Sequence, residues 1–194
     1  LEIVQERLRR EYDVDIISTY PAVVYHVKLR NGETIKIDNP MHLPDQAQIE
    51  FIEEPIIKAF IICMNENIGD IMRLVMDRRG EVDKTDTLDV RRVMLTCKMP
   101  LNEILVEFND FLKSVSHGYA SMDYEHSGYA QSDLVKLDIL LNGECVDAFS
   151  CLIHRSRAES RGRQMCAALK EVIHAHMFAV PIQAAIGKTV IARE

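Results

Sequence analysis

The sequence predicts an α+β protein built around one βαββαβ unit, with further strands and helices on both sides of it. Three observations carry this. IIKAFIIC at 56–63 is a strand-length apolar run. Ile68, Ile71, Met72, Val75 and Met76 recur behind it at helical spacing. The succession then returns: RRVMLTCKM alternates Val93, Leu95 and Cys97, and Leu101, Ile104, Leu105, Phe108 and Leu112 share a helical face.

The other elements follow in order. LEIVQERLRREY at 1–12 predicts a helix with Ile3, Val4 and Leu8 on one face. VVYHVKL at 23–29 and ETIKI predict two strands around the turn signal Asn31-Gly32. DNPMHLPDQ at 38–46 reads as a linker. After the first helix of the βαββαβ unit, Gly80 suits a helical stop. EVDKTDTL is a polar strand, Pro100 opens the second helix, and YASMDYE at 119–125 is the closing strand. LVKLDILL at 134–141 and ECVDAFSCLI at 144–153 flank Asn142-Gly143, the strongest hairpin signal in the chain. A helix from about Ala158 to Ile173 should bury Met165, Leu169, Val172 and Ile173. MFAVPIQAAIG and TVIAR predict two more strands, with Pro181 at an edge or bulge.

Composition narrows the class. The 194 residues are 47% hydrophobic and 27% charged, enough apolar content for a core with a solvated surface. No apolar run approaches the ~18–20 residues of a membrane-spanning helix. Five cysteines without a C-x-x-C spacing point to reduced thiols rather than a disulfide framework. The chain opens on Leu1 inside a helical pattern, so a piece of a longer protein is expected.

The net charge of −7 is unevenly spread. Residues 1–50 carry −3, residues 51–128 carry −5, and residues 129–194 carry +1. Whole-chain acidity therefore says little about what the last third binds. That third contains HRSRAESRGR at 154–163, with four arginines and a histidine in ten positions. Arg155 and Arg163 each lie four residues from Glu159, the spacing of helical ion pairs. Arg157 and Arg161 lie four apart with no acid at three or four residues from either. Two like charges at that spacing cost a few tenths of a kcal/mol, which points to an external anion.

Other motifs carry less. AAIGKT at 184–189 resembles the end of a phosphate-binding loop, but Ile182 stands where the first glycine is needed and a strand follows instead of a helix. His174-x-His176 supplies two of the three or four ligands that zinc needs. Asp123 and Glu125 alternate on one strand face, the pattern of an exposed sheet surface. No G-x-S-x-G elbow occurs, and no catalytic residue, cofactor site or metal site is assigned within this chain.

The stretches LEIVQERLRREY, LKSVSHGYASMDYE, SDLVKLDILLNGECVDAFS, HRSRAESRGR and IQAAIGKTVIARE together resemble the LepA family of translational GTPases. The resemblance runs in order over nearly the whole chain. It implies a C-terminal fragment lacking the G domain: 1–50 as the C-terminal half of domain III plus a linker, 51–128 as ferredoxin-like domain V, and 129–194 as a truncated LepA-specific C-terminal α+β domain. GTP and Mg would bind the parent protein, in the absent G domain. The implied partners are the ribosome (large-subunit rRNA and proteins) and tRNA, and the proposed activity on elongating ribosomes is back-translocation, with a link to translational fidelity. The implied location is cytoplasmic, with peripheral membrane association of the parent, and the fragment is expected to be a monomer. Under this resemblance RNA contact falls to Arg157, Arg161 and Arg163, with His154, Arg155, Lys188 and Arg193 behind them. Two departures stand out: His117 occupies a position where the family usually has arginine, and the chain stops at Glu194, ahead of the family's lysine-rich tail. Without the resemblance, the βαββαβ pattern alone would equally fit a ferredoxin-like ligand-binding or oligomerising regulatory domain unrelated to ribosomes.

Overall fold

The structure, a computed structural model, describes residues 2–16, 22–105, 107–173 and 180–194. In chain order the elements are α1 (Glu2–Tyr12), β1 (Tyr25–Leu29), β2 (Thr34–Ile37), β3 (Ile49–Met64), α2 (Ile68–Asp77), β4 (Glu81–Thr87), β5 (Arg92–Pro100), α3 (Leu101–Leu105), α4 (Phe108–Val115), β6 (Ser121–Ser132), β7 (Leu134–Leu141), β8 (Glu144–Cys145), β9 (Cys151–His154), α5 (Arg155–Val172), β10 (Ile182–Ile186) and β11 (Thr189–Arg193). They divide into two compact units, one of Leu1–Val23 with Ile57–His126 and one of Val24–Ile56 with Ser127–Glu194.

The first unit is the expected βαββαβ arrangement. β6 pairs with β3, β3 with β5, and β5 with β4. The first and third strands of the unit thus lie inside and the second and fourth at the edges, the ferredoxin-like order. Alternate residues of β3, namely Ile57, Ala59, Ile61 and Cys63, point into the core, as do Val93, Leu95, Cys97 and Met99 of β5. Ile71 and Val75 from α2, and Ile104, Phe108 and Leu112 from α3 and α4, close over them. Phe108 and Ile61 are fully buried. Burial raises the Cys97 thiol to about 11, with Asp83 and Cys63 adding to the shift.

Several boundaries differ from the sequence expectation. β3 begins at Ile49 rather than 56. Glu54 and Pro55 are both buried, so the in–out alternation changes phase there. Proline cannot donate to a strand ladder, and such a slip is where a strand accommodates it. Pro100 ends β5 instead of opening a helix, and the expected single helix is two: Glu107, at φ 59, separates α3 from α4. The i, i+4 face of Ile104, Phe108 and Leu112 survives the break. At the end of α2 the left-handed residue is Arg79 (φ 60), not Gly80. Gly80 is needed for space, because a Cβ there would lie 2.6 Å from Val75 Cγ1. The predicted apolar face of α1 buries little, with Ile3 at 76% and Val4 at 57% exposure.

The second unit holds two groups of strands. β1 pairs antiparallel with β2 and with the first half of β3, placing His26 beside both Lys36 and Glu53. Asn31-Gly32 does not form a two-residue hairpin; Lys28 pairs with Thr34, and the Asn31 side chain accepts from the Glu33 N–H. The other sheet runs β11-β10-β7-β8, with β9 also on β7. Here Asn142 (φ 53) and Gly143 (φ 85) make the tight turn their types allow, and Leu141 pairs with Glu144 across it. The strand expected at 144–153 is broken into β8 and β9 by a helical turn at Asp147–Phe149. β8 pairs with Leu140 and Leu141, whereas β9 returns along Leu134–Leu137.

Candidate nucleic-acid interface

β9 feeds directly into α5, so the arginine stretch begins at a strand–helix junction. His154 is the N-cap: its Nδ1 accepts from the Ser156 N–H and lies 2.8 Å from the Ser156 hydroxyl. The helix starts three residues earlier than expected and takes all four arginines. Its buried residues are small: Ala158, Gly162 and Cys166, at i, i+4 and i+8. A Cβ on Gly162 would lie 2.8 Å from the Ala184 Cβ, so the missing side chain is what lets the helix lie close on β10. Met165, Leu169 and Ile173 pack at the margins of this contact. Val172, expected inside, is 74% exposed.

At 3.6 residues per turn the seated face divides the outer surface into two flanks. One carries Arg155, Glu159, Arg163 and Lys170, and each cation there has an acid. Arg163 donates to Glu159, as the spacing predicts. Arg155 does not pair with Glu159; it donates to Asp133 at 2.9 Å. The reason is the strand register: Leu134 pairs with His154, which sets Asp133 beside Arg155, and the Arg155 N–H also bonds the Asp133 carbonyl. Lys170 donates to Glu194 at 2.7 Å, and that hydrogen bond raises its pKa.

The other flank carries Arg157 and Arg161. Arg157 is half-buried and has a partner within the protein. Arg161 is exposed, with no ion pair or hydrogen bond of its side chain among the described residues. Its charge is felt by Cys151, whose thiol is pushed up by burial and drawn back by Arg161. The structure thus separates the two arginines that the sequence grouped as unneutralised.

Lys188 lies in a two-residue turn, Gly187-Lys188, that joins β10 to β11 with Ile186 opposite Thr189. AAIGKT is accordingly a hairpin. Lys188 and Arg193 are exposed and, among the described residues, without an ion pair. His174 and His176 lie outside the described residues. Glu125 reaches Lys58 at 3.8 Å, and Asp123 accepts from the Tyr124 N–H. Among the described residues no cluster of three metal-ligating side chains occurs. His117, at φ 52, sits in the turn that ends α4.

An open cleft of about 950 Å³ in the second unit brings together Arg30, Lys136 and Arg155 with Asp45, Glu50, Asp133 and Asp138. Lys136 pairs with Asp138 at 3.1 Å, and Ser150 donates to the same carboxylate at 2.6 Å. Spacing of two along β7 sets Lys136 beside Asp138, whereas the β7–β9 register, with Leu137 opposite Cys151, brings Ser150 to the same carboxylate. Among these charged groups the acids outnumber the cations, four to three.

Comparison with known proteins agrees with this architecture. A family model described as the elongation factor G C-terminus matches residues 51–140, and one described as the C-terminus of the GTP-binding protein LepA matches 141–194. Elongation factor 4 of Chlorobaculum parvum is 55% identical over all 194 residues, which cover 32% of that protein. Elongation factor 4 of Protochlamydia amoebophila and that of Acetivibrio thermocellus are each 54% identical over the same span and the same share. The chain spans about a third of the length of the curated relatives it matches. With both family models in sequence along one chain and this identity from end to end, the chain belongs to the elongation factor 4 (LepA) family.

Proposed function

We propose that the chain is the ribosome- and tRNA-contacting portion of a translational GTPase, and that it holds RNA through phosphate contacts made from α5. The parent would hydrolyse GTP with Mg in a G domain outside these residues and act on elongating ribosomes, with back-translocation as the reaction. Residues 1–50 would be the second half of domain III with a linker, 51–128 domain V, and 129–194 the LepA-specific domain. The parent would work in the cytoplasm, in part at the inner face of the membrane, and this chain alone would be a monomer.

The observation that carries the RNA role is Arg161: exposed, without an acid partner among the described residues, in the one part of the chain whose charge is not negative. An arginine held out on a rigid helix can grip phosphate oxygens through its planar fork. Arg157 flanks it on the same side, and Lys188 and Arg193 extend the positive surface from β10 and β11. Arg163, Arg155 and His154 are weaker contacts, since Glu159, Asp133 and Ser156 already engage them.

Titration of the 194-residue chain against purified ribosomes tests this. Arg161→Glu should weaken binding severalfold and flatten the dependence of log affinity on log salt, because fewer counterions are released. Unchanged affinity and slope would remove Arg161 from the interface. A stable dimer that ignores ribosomes would favour the regulatory ferredoxin-like reading.

A further inference from the structure

The loop joining β4 to β5, Leu88–Arg91, holds two apolar residues that neither turn chemistry nor core packing explains. Turns favour glycine, proline, asparagine, aspartate and serine, each for a conformational reason. Asp89 supplies that chemistry here, but the tip also carries Leu88 and the β-branched Val90, which are 47% and 92% exposed. Folding gains nothing from an exposed valine, since apolar area stabilises only when it leaves water.

The loop is nevertheless firmly held. One Asp89 carboxylate oxygen accepts from the Arg91 and Arg92 N–H groups at 2.9 and 2.8 Å, and the other accepts from Arg92 Nε at 2.8 Å. The Leu88 N–H donates to the Arg92 carbonyl at 2.9 Å. From outside the hairpin, Asn65 donates its side-chain amide to the Val90 carbonyl and its own N–H to the Arg91 carbonyl, both at 2.9 Å. Val90 is thus fixed in place by its backbone while its side chain meets only solvent. A preformed apolar tip loses little conformational freedom on binding.

We infer that the β4–β5 tip is a docking finger whose Val90 enters an apolar pocket of a folded protein, with Arg91 meeting a carboxylate at the pocket's rim. Charge favours protein over RNA as the partner. Asp89 matches Arg92, which leaves Arg91 as the tip's unpaired cation among the described residues. Glu66, exposed and next to Asn65 in sequence, and the net charge of −5 over residues 51–128 would both disfavour phosphate. Leu88 and Val90 offer no ring to stack on a base and no donor to read one, whereas aliphatic side chains complement an apolar pocket. This inference rests on the ribosome reading above and assigns the finger to a protein component of the ribosome.

Val90→Asp in the 194-residue chain tests it, because a side chain this exposed can be replaced without disturbing the fold. Ribosome affinity should fall by about fivefold to tenfold, the range for losing an interface anchor, with the melting temperature unchanged. The salt slope should keep its wild-type value, unlike that of Arg161→Glu. Asp89→Ala, which frees the tip but keeps Val90, should produce a smaller loss. A photo-reactive phenylalanine analogue at position 90 should cross-link to a ribosomal protein. Wild-type affinity in Val90→Asp, a flattened slope, or a cross-link to rRNA would each overturn the finger while leaving the ribosome reading intact. If the wild-type chain fails to bind ribosomes, the reading falls and the inference with it.

Discussion

The helices of the two units cover their sheets by opposite means. In the first unit α2, α3 and α4 bury large side chains: Ile71, Val75, Ile104, Phe108 and Leu112. In the second, α5 buries Ala158, Gly162 and Cys166, and a Cβ at 162 would already press on Ala184. Large buried residues fill volume and hold a helix away from the sheet. Small ones bring the backbone close and leave less apolar area to stabilise it. The second design suits a helix whose outer surface is committed to charge, since close seating fixes the positions of the arginines.

The contrast can be broken most sharply at Phe108. Phe108→Ala should lower stability by about 3–5 kcal/mol, because it empties the centre of a close-packed core. Denaturant unfolding would show it, and a loss below ~1 kcal/mol would mean that the core collapses to fill the space. The reverse change suits α5. Gly162→Val overfills the helix–sheet contact and should cost about 1–3 kcal/mol, although valine is the better helix former. A neutral result would show that α5 can lift off β10, and the close-seating account would fail. The smallest effect is expected on the paired flank. Glu159→Gln removes the acid of an exposed i, i+4 pair and should change stability by only about 0.3–0.5 kcal/mol. It should also release Arg163 for phosphate, strengthening ribosome binding modestly at low salt. Weaker binding would place Glu159 itself in the contact.

The difference between the units also decided how much could be read in advance. α2 and α4 announce themselves through apolar residues at helical spacing. In α5 the buried positions are alanine, glycine and cysteine, which carry little hydrophobic signal, so the eye goes to Val172, which is exposed. The break at Glu107 was hidden because Ile104, Phe108 and Leu112 keep their spacing on either side of it. Asn142-Gly143 behaved as a hairpin turn because strands on both sides pair at once; Asn31-Gly32, in the same dipeptide, sits in a longer loop tied to its surroundings by Arg30 and Gln48.

The sequence by itself determined the succession of strands and helices, the βαββαβ unit, the hairpin at Asn142-Gly143 and the concentration of arginine at 155–163. These depend on local periodicity, turn chemistry and charge, all written in neighbouring residues. Tertiary structure decided which arginines have an acid. Helical spacing gives Glu159 to Arg163, but Asp133 reaches Arg155 and Glu194 reaches Lys170 only because the fold carries distant residues together. It also decided that Val90 stands in solvent on a fixed loop, since the hydrogen bonds from Asn65 span 25 residues of chain. Ion pairing and exposure depend on distance in space, and a chain read in order does not contain that distance until it folds.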